Sequence, residues 1–309
     1  MAMLVAQMRR YASPWESILS GLILSAGIFV GALFHSSMHL AYADGSLANV
    51  TRRGHLRVGI DASVGGTYMF WNPKTQYYDG FEWEIAQKIA EKMRLELRPI
   101  NIPWGVQPDR LAARQIDLIL SVREQGGLDG DQHKDRFIET VPYYRSSQRI
   151  LVRRESARIS TLRDLIGKRV GVVANSGGAA VIETYNKNRG NAIRVFSSRD
   201  INRMLSQLSD RQLDAMLLDE PVAIWQIEKH PNFTVVGEPF LPIALVAIVN
   251  KDDESLYKAV NQAIAQIRYE GTLESILRRW KLWGNSQKSL KSAVESPVIR
   301  STIILLFWG

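Results

Sequence analysis

The sequence predicts an α/β protein built as two lobes. Three observations carry that prediction. Short apolar runs of strand type alternate with stretches of helical periodicity, and the alternation occurs twice along the chain. The length of 309 residues, with 46% hydrophobic and 23% charged side chains, suffices for two cores in lobes of roughly 100–150 residues each. In the first half, Leu56-Arg57-Val58-Gly59-Ile60 reads as a strand. Phe81, Ile85, Ile89 and Met93 then recur every fourth residue beside Ala86 and Ala90, which is a helix face, and Leu118-Ile119-Leu120 reads as a buried strand. The second half repeats the order. Val170-Gly171-Val172-Val173 is a strand, and Ser176-Gly177-Gly178 opens a helix through Tyr185. Ile201, Met204, Leu205 and Leu208 share a helical face, and Ala215-Met216-Leu217-Leu218 returns as a strand. Leu256, Val260, Ala263, Ile264 and Ile267 form a long amphipathic helix, with Leu273, Ile276, Leu277 and Trp280 marking another.

The two ends differ from this pattern. Arg9 and Arg10 precede an apolar run from about Ile18 to Phe34, followed by Ala41-Tyr42-Ala43-Asp44. A basic start, an apolar middle and small residues at −3 and −1 make residues 1–43 a secretory leader cleaved after Ala43, or else an uncleaved membrane anchor. Both readings send the rest of the chain across a membrane. At the other end, residues 284–300 are polar and read as a linker. Residues 301–309 are an apolar tail too short to cross a bilayer, either a sticky end or the first turns of a truncated membrane helix.

Composition and spacing exclude several classes. The absence of cysteine removes disulfide scaffolds, thiol nucleophiles and cysteine-based zinc sites. The net charge of +8 raises nucleic acid as a partner, but Lys and Arg are scattered among Asp and Glu with no nucleic-acid-binding spacing, so none is expected. The position a phosphate loop would give to its first glycine, ahead of Gly167-Lys168, is Leu162. Ser176 has Ala174 where a nucleophile elbow requires glycine. No Gly-x-Gly-x-x-Gly follows a strand. Asp129, Asp131, His133 and Asp135 alternate like a calcium loop, but Lys134 and Thr140 replace its turn glycine and final glutamate. No cofactor, metal or catalytic residue is expected.

The order of segments resembles the family 3 extracellular solute-binding proteins, the receptors of polar amino-acid ABC transporters. The resemblance rests on Gly54 to Asp61, Tyr78-Asp79-Gly80-Phe81-Glu82-Trp83-Glu84-Ile85-Ala86 and Arg114 to Ser121, then Val141-Pro142-Tyr143-Tyr144. It continues through Leu162 to Val172, Leu213 to Pro221, and Glu270-Gly271-Thr272-Leu273 with Trp280, and covers about residues 51 to 284. It implies a type II-like periplasmic-binding-protein fold with two strand crossovers as a hinge. Lobe 1 would comprise residues 51–146 and 241–283, and lobe 2 residues 147–240. It further implies a periplasmic receptor that closes around an amino acid, or a related small anion or zwitterion, and presents it to an inner-membrane permease. An enzyme on the same lobes, like the cyclohexadienyl dehydratases, and a ligand-sensing ectodomain are the alternatives.

The resemblance also places the site. Trp104 aligns with a stacking aromatic, and a second aromatic is expected among Tyr68, Phe70 and Trp71, with Tyr68 preferred. For Trp104 the alternative is an ordinary core-edge tryptophan, and which of the other three points inward is left open. Asn175-Ser176-Gly177-Gly178 between strand and helix suits a ligand carboxylate, through Ser176, Gly177 and the helix's positive end. Asp219 matches the acid for a ligand ammonium, though Asp before Glu220-Pro221 is also a common helix N-cap. The family's carboxylate-clamping arginine has no aligned counterpart here. After Ser121, which remains as a strand-end hydroxyl, the sequence runs Val122-Arg123-Glu124-Gln125-Gly126-Gly127, leaving Arg123, Arg136 or Arg145 for the role.

Overall fold

The computed structural model describes residues 45–63, 65–127, 134–156, 158–174, 176–187 and 189–294. The expected leader and apolar tail, Asn175, and most of the alternating acidic loop lie outside the described residues. Helix α1 (Ser46–Arg53) leads into a five-stranded sheet of order β4-β1-β5-β12-β6, comprising Glu96–Asn101, His55–Ile60, Leu118–Ile119, Ile248–Asn250 and Phe137–Glu139. A hairpin of β2 (Phe70–Asn72) and β3 (Tyr77–Asp79) precedes helix α2 (Phe81–Lys92), and α3 (Gln107–Ala112) connects β4 to β5. The second sheet runs β11-β7-β10-β8-β9, from Phe233–Leu245, Tyr144–Arg153, Ala215–Asp219, Arg169–Val173 and Arg194–Ser198. Helices α4 (Gly177–Lys187), α5 (Ile201–Ser209) and α6 (Glu220–Lys229) belong to it, and α7 (Glu254–Tyr269) and α8 (Thr272–Arg279) return to the first sheet's side.

Both sheets use one plan. Three strands are parallel (β4-β1-β5 and β9-β8-β10), and two antiparallel strands complete each. The inner parallel strands carry their apolar residues buried (Leu56, Val58 and Ile60 of β1, Leu118 and Ile119 of β5, Val170 and Val172 of β8, Ala215 to Leu218 of β10), as strands covered on both faces do, whereas Val195 and Phe196 of the edge strand β9 are exposed. A side-chain device repeats with the strands. Arg57 donates its backbone N–H (2.8 Å) and a two-point guanidinium fork to Asp117, and reaches the carbonyl of Arg114. Arg169 does the same to Asp214 (backbone N–H at 2.8 Å) and to the carbonyl of Arg211. Each aspartate thereby ties the start of the first parallel strand to the start of the third.

Two strands cross between the sheets. The chain leaves β6 of the first sheet at Glu139 and enters β7 of the second at Tyr144; it leaves β11 at Leu245 and returns to the first sheet with β12 at Ile248. The crossings are bonded to each other, Tyr143 N–H to Leu245 O and Thr140 N–H to Ala247 O, both at 2.9 Å.

The polar stretch expected to be a linker is a helix, α9 (Asn285–Val294), over much of its length. Gln287 and Leu290, three residues apart and so on one face, are both buried. The Gln287 amide meets both polar groups of the Arg145 backbone, accepting its N–H at 3.0 Å and donating to its carbonyl at 2.5 Å, while Arg268 donates to Leu290 O. Arg145 lies on the crossing β7, short of Gln148, where pairing with β10 begins, so the glutamine serves as a one-residue strand neighbour. Gln287→Ala leaves a buried donor and acceptor unpaired and should lower the unfolding free energy by roughly 1–3 kcal/mol in urea titration. An unchanged midpoint would mean that α9 is only loosely docked.

Candidate ligand-binding site

Asp219 ends β10 and stands at the N-cap position of α6, where Pro221 removes one of the first-turn N–H groups that an N-cap side chain could accept. Its side chain makes no capping bond. The carboxylate instead accepts from Gln148 Nε2 at 2.5 Å, across the β10–β7 ladder where the two residues are paired. Burial pushes its pKa up, and the Gln148 amide and the Tyr68 hydroxyl pull it partly back. Tyr68 is wholly buried and also meets Ser146 Oγ of β7 at 3.3 Å. Burial and then the Asp219 charge hold its phenol well above its ordinary value, so it is a neutral hydroxyl here. Tyr68 lies in the turn before β2 on the first sheet's side, so an acid from the second sheet and a phenol from the first sheet's side meet beside a crossing strand. The other two aromatics go elsewhere: Phe70 packs on Trp225 and Trp280 (centroids 5.1 and 6.3 Å), and Trp71 lies exposed against Tyr78.

Trp104 opens a single 3-10 turn after β4 and stays 45% exposed. Its fixation is thorough. Asp61 Oδ2 accepts its backbone N–H at 2.7 Å, the Ser121 carbonyl accepts its indole N–H at 3.1 Å, and Arg123 donates to its carbonyl. The Arg123 guanidinium also lies over the indole, 3.8 Å from the ring centroid, and bonds Gln107 Oε1 at 3.0 Å. Arg123, although buried, thus braces the platform from one face. Next to it, burial and then repulsion from Asp219 raise the pKa of Glu124, which places this segment within electrostatic reach of Asp219.

At the start of α4, Ser176 Oγ accepts the N–H of Ala179 at 3.3 Å, a capping bond, so its hydroxyl serves the helix. Gly177 and Gly178 lie against the Gln148 side chain. The structure therefore brings Tyr68, Asp219 and the Gly177 turn together around Gln148, and gathers Trp104, Ser121 and Arg123 into a second cluster joined to the first through Glu124. The other clamp candidates are placed apart. Arg136 reaches the Ala112 carbonyl at 3.4 Å, and Arg145 lies close enough to Arg268 to help burial lower that guanidinium's pKa to about 10. Gln148 and Asp61 went unrecognised in the sequence. Alternation along β7 could have flagged Gln148 as a polar residue in a buried run, but nothing pointed to its partner.

Two sheets of matching topology joined by two crossings define the two-lobed periplasmic-binding-protein architecture. Residues 56–282 match the bacterial extracellular solute-binding proteins, family 3, and the chain belongs to that family. It is 29% identical over 259 residues to the L-cystine-binding protein TcyJ of Escherichia coli K12, covering 82% of this chain and 93% of the relative. It is 23% identical over 254 residues to the histidine-binding periplasmic protein of the same strain, covering 79% and 94%. Among solved structures, an ancestral cationic amino acid solute-binding protein superposes with a TM-score of 0.65 at 24% identity, covering 76% of this chain and 98% of that one. A mutant of the arginine-binding protein ArgBP from T. maritima gives 0.61 at 23%, covering 76% and 98%. No helix among the described residues is long and apolar enough to cross a membrane.

Proposed function

We propose that the chain is the periplasmic receptor of an ABC transporter, and that it closes around an amino acid and delivers it to an inner-membrane permease. The observation that carries this reading is the half-buried Asp219 carboxylate, which makes no capping bond to its helix and lies by the Tyr68 hydroxyl from the first sheet's side. An acceptor-only group in that position suits a ligand ammonium, and the N–H groups at the start of α4 suit its carboxylate. The relatives named for cystine and histidine support the ligand class. The lobes are residues 51–146 with 241–283, and residues 147–240, a division that cuts β7 and β11 near the first sheet. Closure shifts an equilibrium and makes no bond.

A thermal-shift panel of amino acids, small organic acids and amines tests this. A true ligand at 100 times its Kd adds about 2.7 kcal/mol of stability and raises the melting temperature without being consumed. Because a second structure of the same ancestral protein describes it as a precursor of cyclohexadienyl dehydratase, the panel is also read by mass spectrometry. Product there would favour the enzyme, and a flat panel would end the amino-acid reading.

A further inference from the structure

We infer that Gln148 is the positioning residue of the ligand site, a buried amide that holds Asp219 in place and is itself held by the two glycines that open α4. The inference rests on the amino-acid-binding reading above and adds to it the residue that joins the ammonium acid to the carboxylate turn.

Three elements meet at this one side chain. Gln148 is fully buried on β7, and its Nε2 donates to Asp219 Oδ1 at 2.5 Å. Its other side lies against the helix start. A Cβ on Gly178 would fall 2.9 Å from Gln148 Oε1 and 3.3 Å from the Leu217 carbonyl, and one on Gly177 would fall 3.3 Å from Nε2. The first separation is closer than carbon and oxygen tolerate, so glycine at 178 is what lets the amide lie flat against the turn. Oε1 takes no hydrogen bond from any described residue, so packing fixes the amide on that side. The amide's donor occupies Oδ1 and orients the carboxylate, which an ammonium could then meet in a fixed position. The titratable groups sensing Asp219 are Tyr68, Tyr144 and Glu124, all of them neutral or acidic. Gln148 is therefore the strongest donor keeping this carboxylate ionised against burial. It also sits on β7 where that crossing strand first pairs with β10, so the grip on Asp219 lies at the second sheet's end of the crossing.

The test uses Gln148→Met, which keeps the volume and removes the donor, and Gly178→Ala, which leaves Gln148 intact but forces the amide off the turn. Carbon-13 NMR of the Asp219 carboxyl in ligand-free protein should show its titration moved to higher pH in both variants. Affinity for whichever of L-cystine, L-histidine and L-arginine the parent binds should fall roughly 10-fold at pH 7, with the acid limb of the affinity profile moved the same way. Gly178→Ala serves as the check should Gln148→Met fold poorly. Unchanged carboxyl titration in both variants overturns the inference. A moved titration in a parent background that binds none of the three probes leaves the grip on Asp219 standing and removes the amino-acid reading instead.

Discussion

Replacing Asp219 by alanine should weaken amino-acid binding by about 2–5 kcal/mol, a loss of 30-fold at the least, while lowering the stability of the ligand-free protein by only about 1 kcal/mol through the lost Gln148 bond. The two halves of that expectation have one cause. The carboxylate is half-buried and desolvation raises its pKa, so in the empty protein it gains little from ionisation beyond the Gln148 bond. With an ammonium beside it, the same burial strengthens the attraction, and removing the acid leaves the ligand's charge desolvated without a partner. Trp104→Ala should cost less, roughly 1–3 kcal/mol of binding, because it removes a platform face but no charge. Calorimetric titration with the amino acid found by thermal shift decides both. If each variant binds as its parent does, the ligand sits elsewhere in the molecule. A melting temperature that falls steeply in the empty Asp219 variant would instead assign the aspartate a structural role.

The fold was legible because it is written in periodicities. Runs such as Val170 to Val173 and faces such as Ile201, Met204, Leu205 and Leu208 report burial directly, and burial is what sheets and their covering helices share. The internal doubling was legible too, and more fully than the apolar pattern alone suggests. Arg114-Gln115-Ile116-Asp117 and Arg211-Gln212-Leu213-Asp214 are near copies, and their aspartates receive the same fork from Arg57 and Arg169. Helix α9 escaped notice because a stretch such as Ser286-Gln287-Lys288-Ser289 offers no apolar stripe. What seats it is chiefly the Gln287 amide on a backbone residue 142 positions away, with Arg268 holding the Leu290 carbonyl, and long-range polar pairing leaves no periodic trace.

The site was legible by type and illegible by partner. Asp219, Tyr68 and the glycine turn could be named because their chemistry suits a zwitterion, yet each carried a second reading that only geometry separates. The missing capping bond at Asp219 favours the ligand over the helix, whereas the bond from Ala179 to Ser176 favours the helix over the ligand. Arg123 shows the limit most clearly. As a residue type it suits a carboxylate clamp. In the fold its guanidinium is engaged with the face and carbonyl of Trp104, and the sequence distance between 104 and 123 says nothing of that.

A second large effect belongs to Glu82, a buried carboxyl in the first turn of α2 that the ligand site does not use. Its Oε1 accepts the Tyr143 hydroxyl at 2.5 Å and the Val122 N–H at 3.0 Å. Burial nevertheless raises its pKa from 4.5 to about 7, with those two donors opposing the rise. The unfolded chain keeps the ordinary value, so between pH 4.5 and 7 the folded state holds a proton that the unfolded state has released. Stability therefore falls as pH rises through that window, by about 3 kcal/mol. Above it the ionised carboxylate is a standing penalty. Glu82→Gln retains an acceptor for both donors and cannot ionise, so the variant should show none of this slope and be the more stable protein at pH 8. Urea unfolding of both proteins at pH 5, 6, 7 and 8 measures it, and parallel curves would show that Glu82 does not titrate in this range. The consequence reaches the ligand site through the two donors. Val122 precedes the arginine beneath Trp104, and Tyr143 precedes the crossing β7, so ionising Glu82 tightens its hold on both at once.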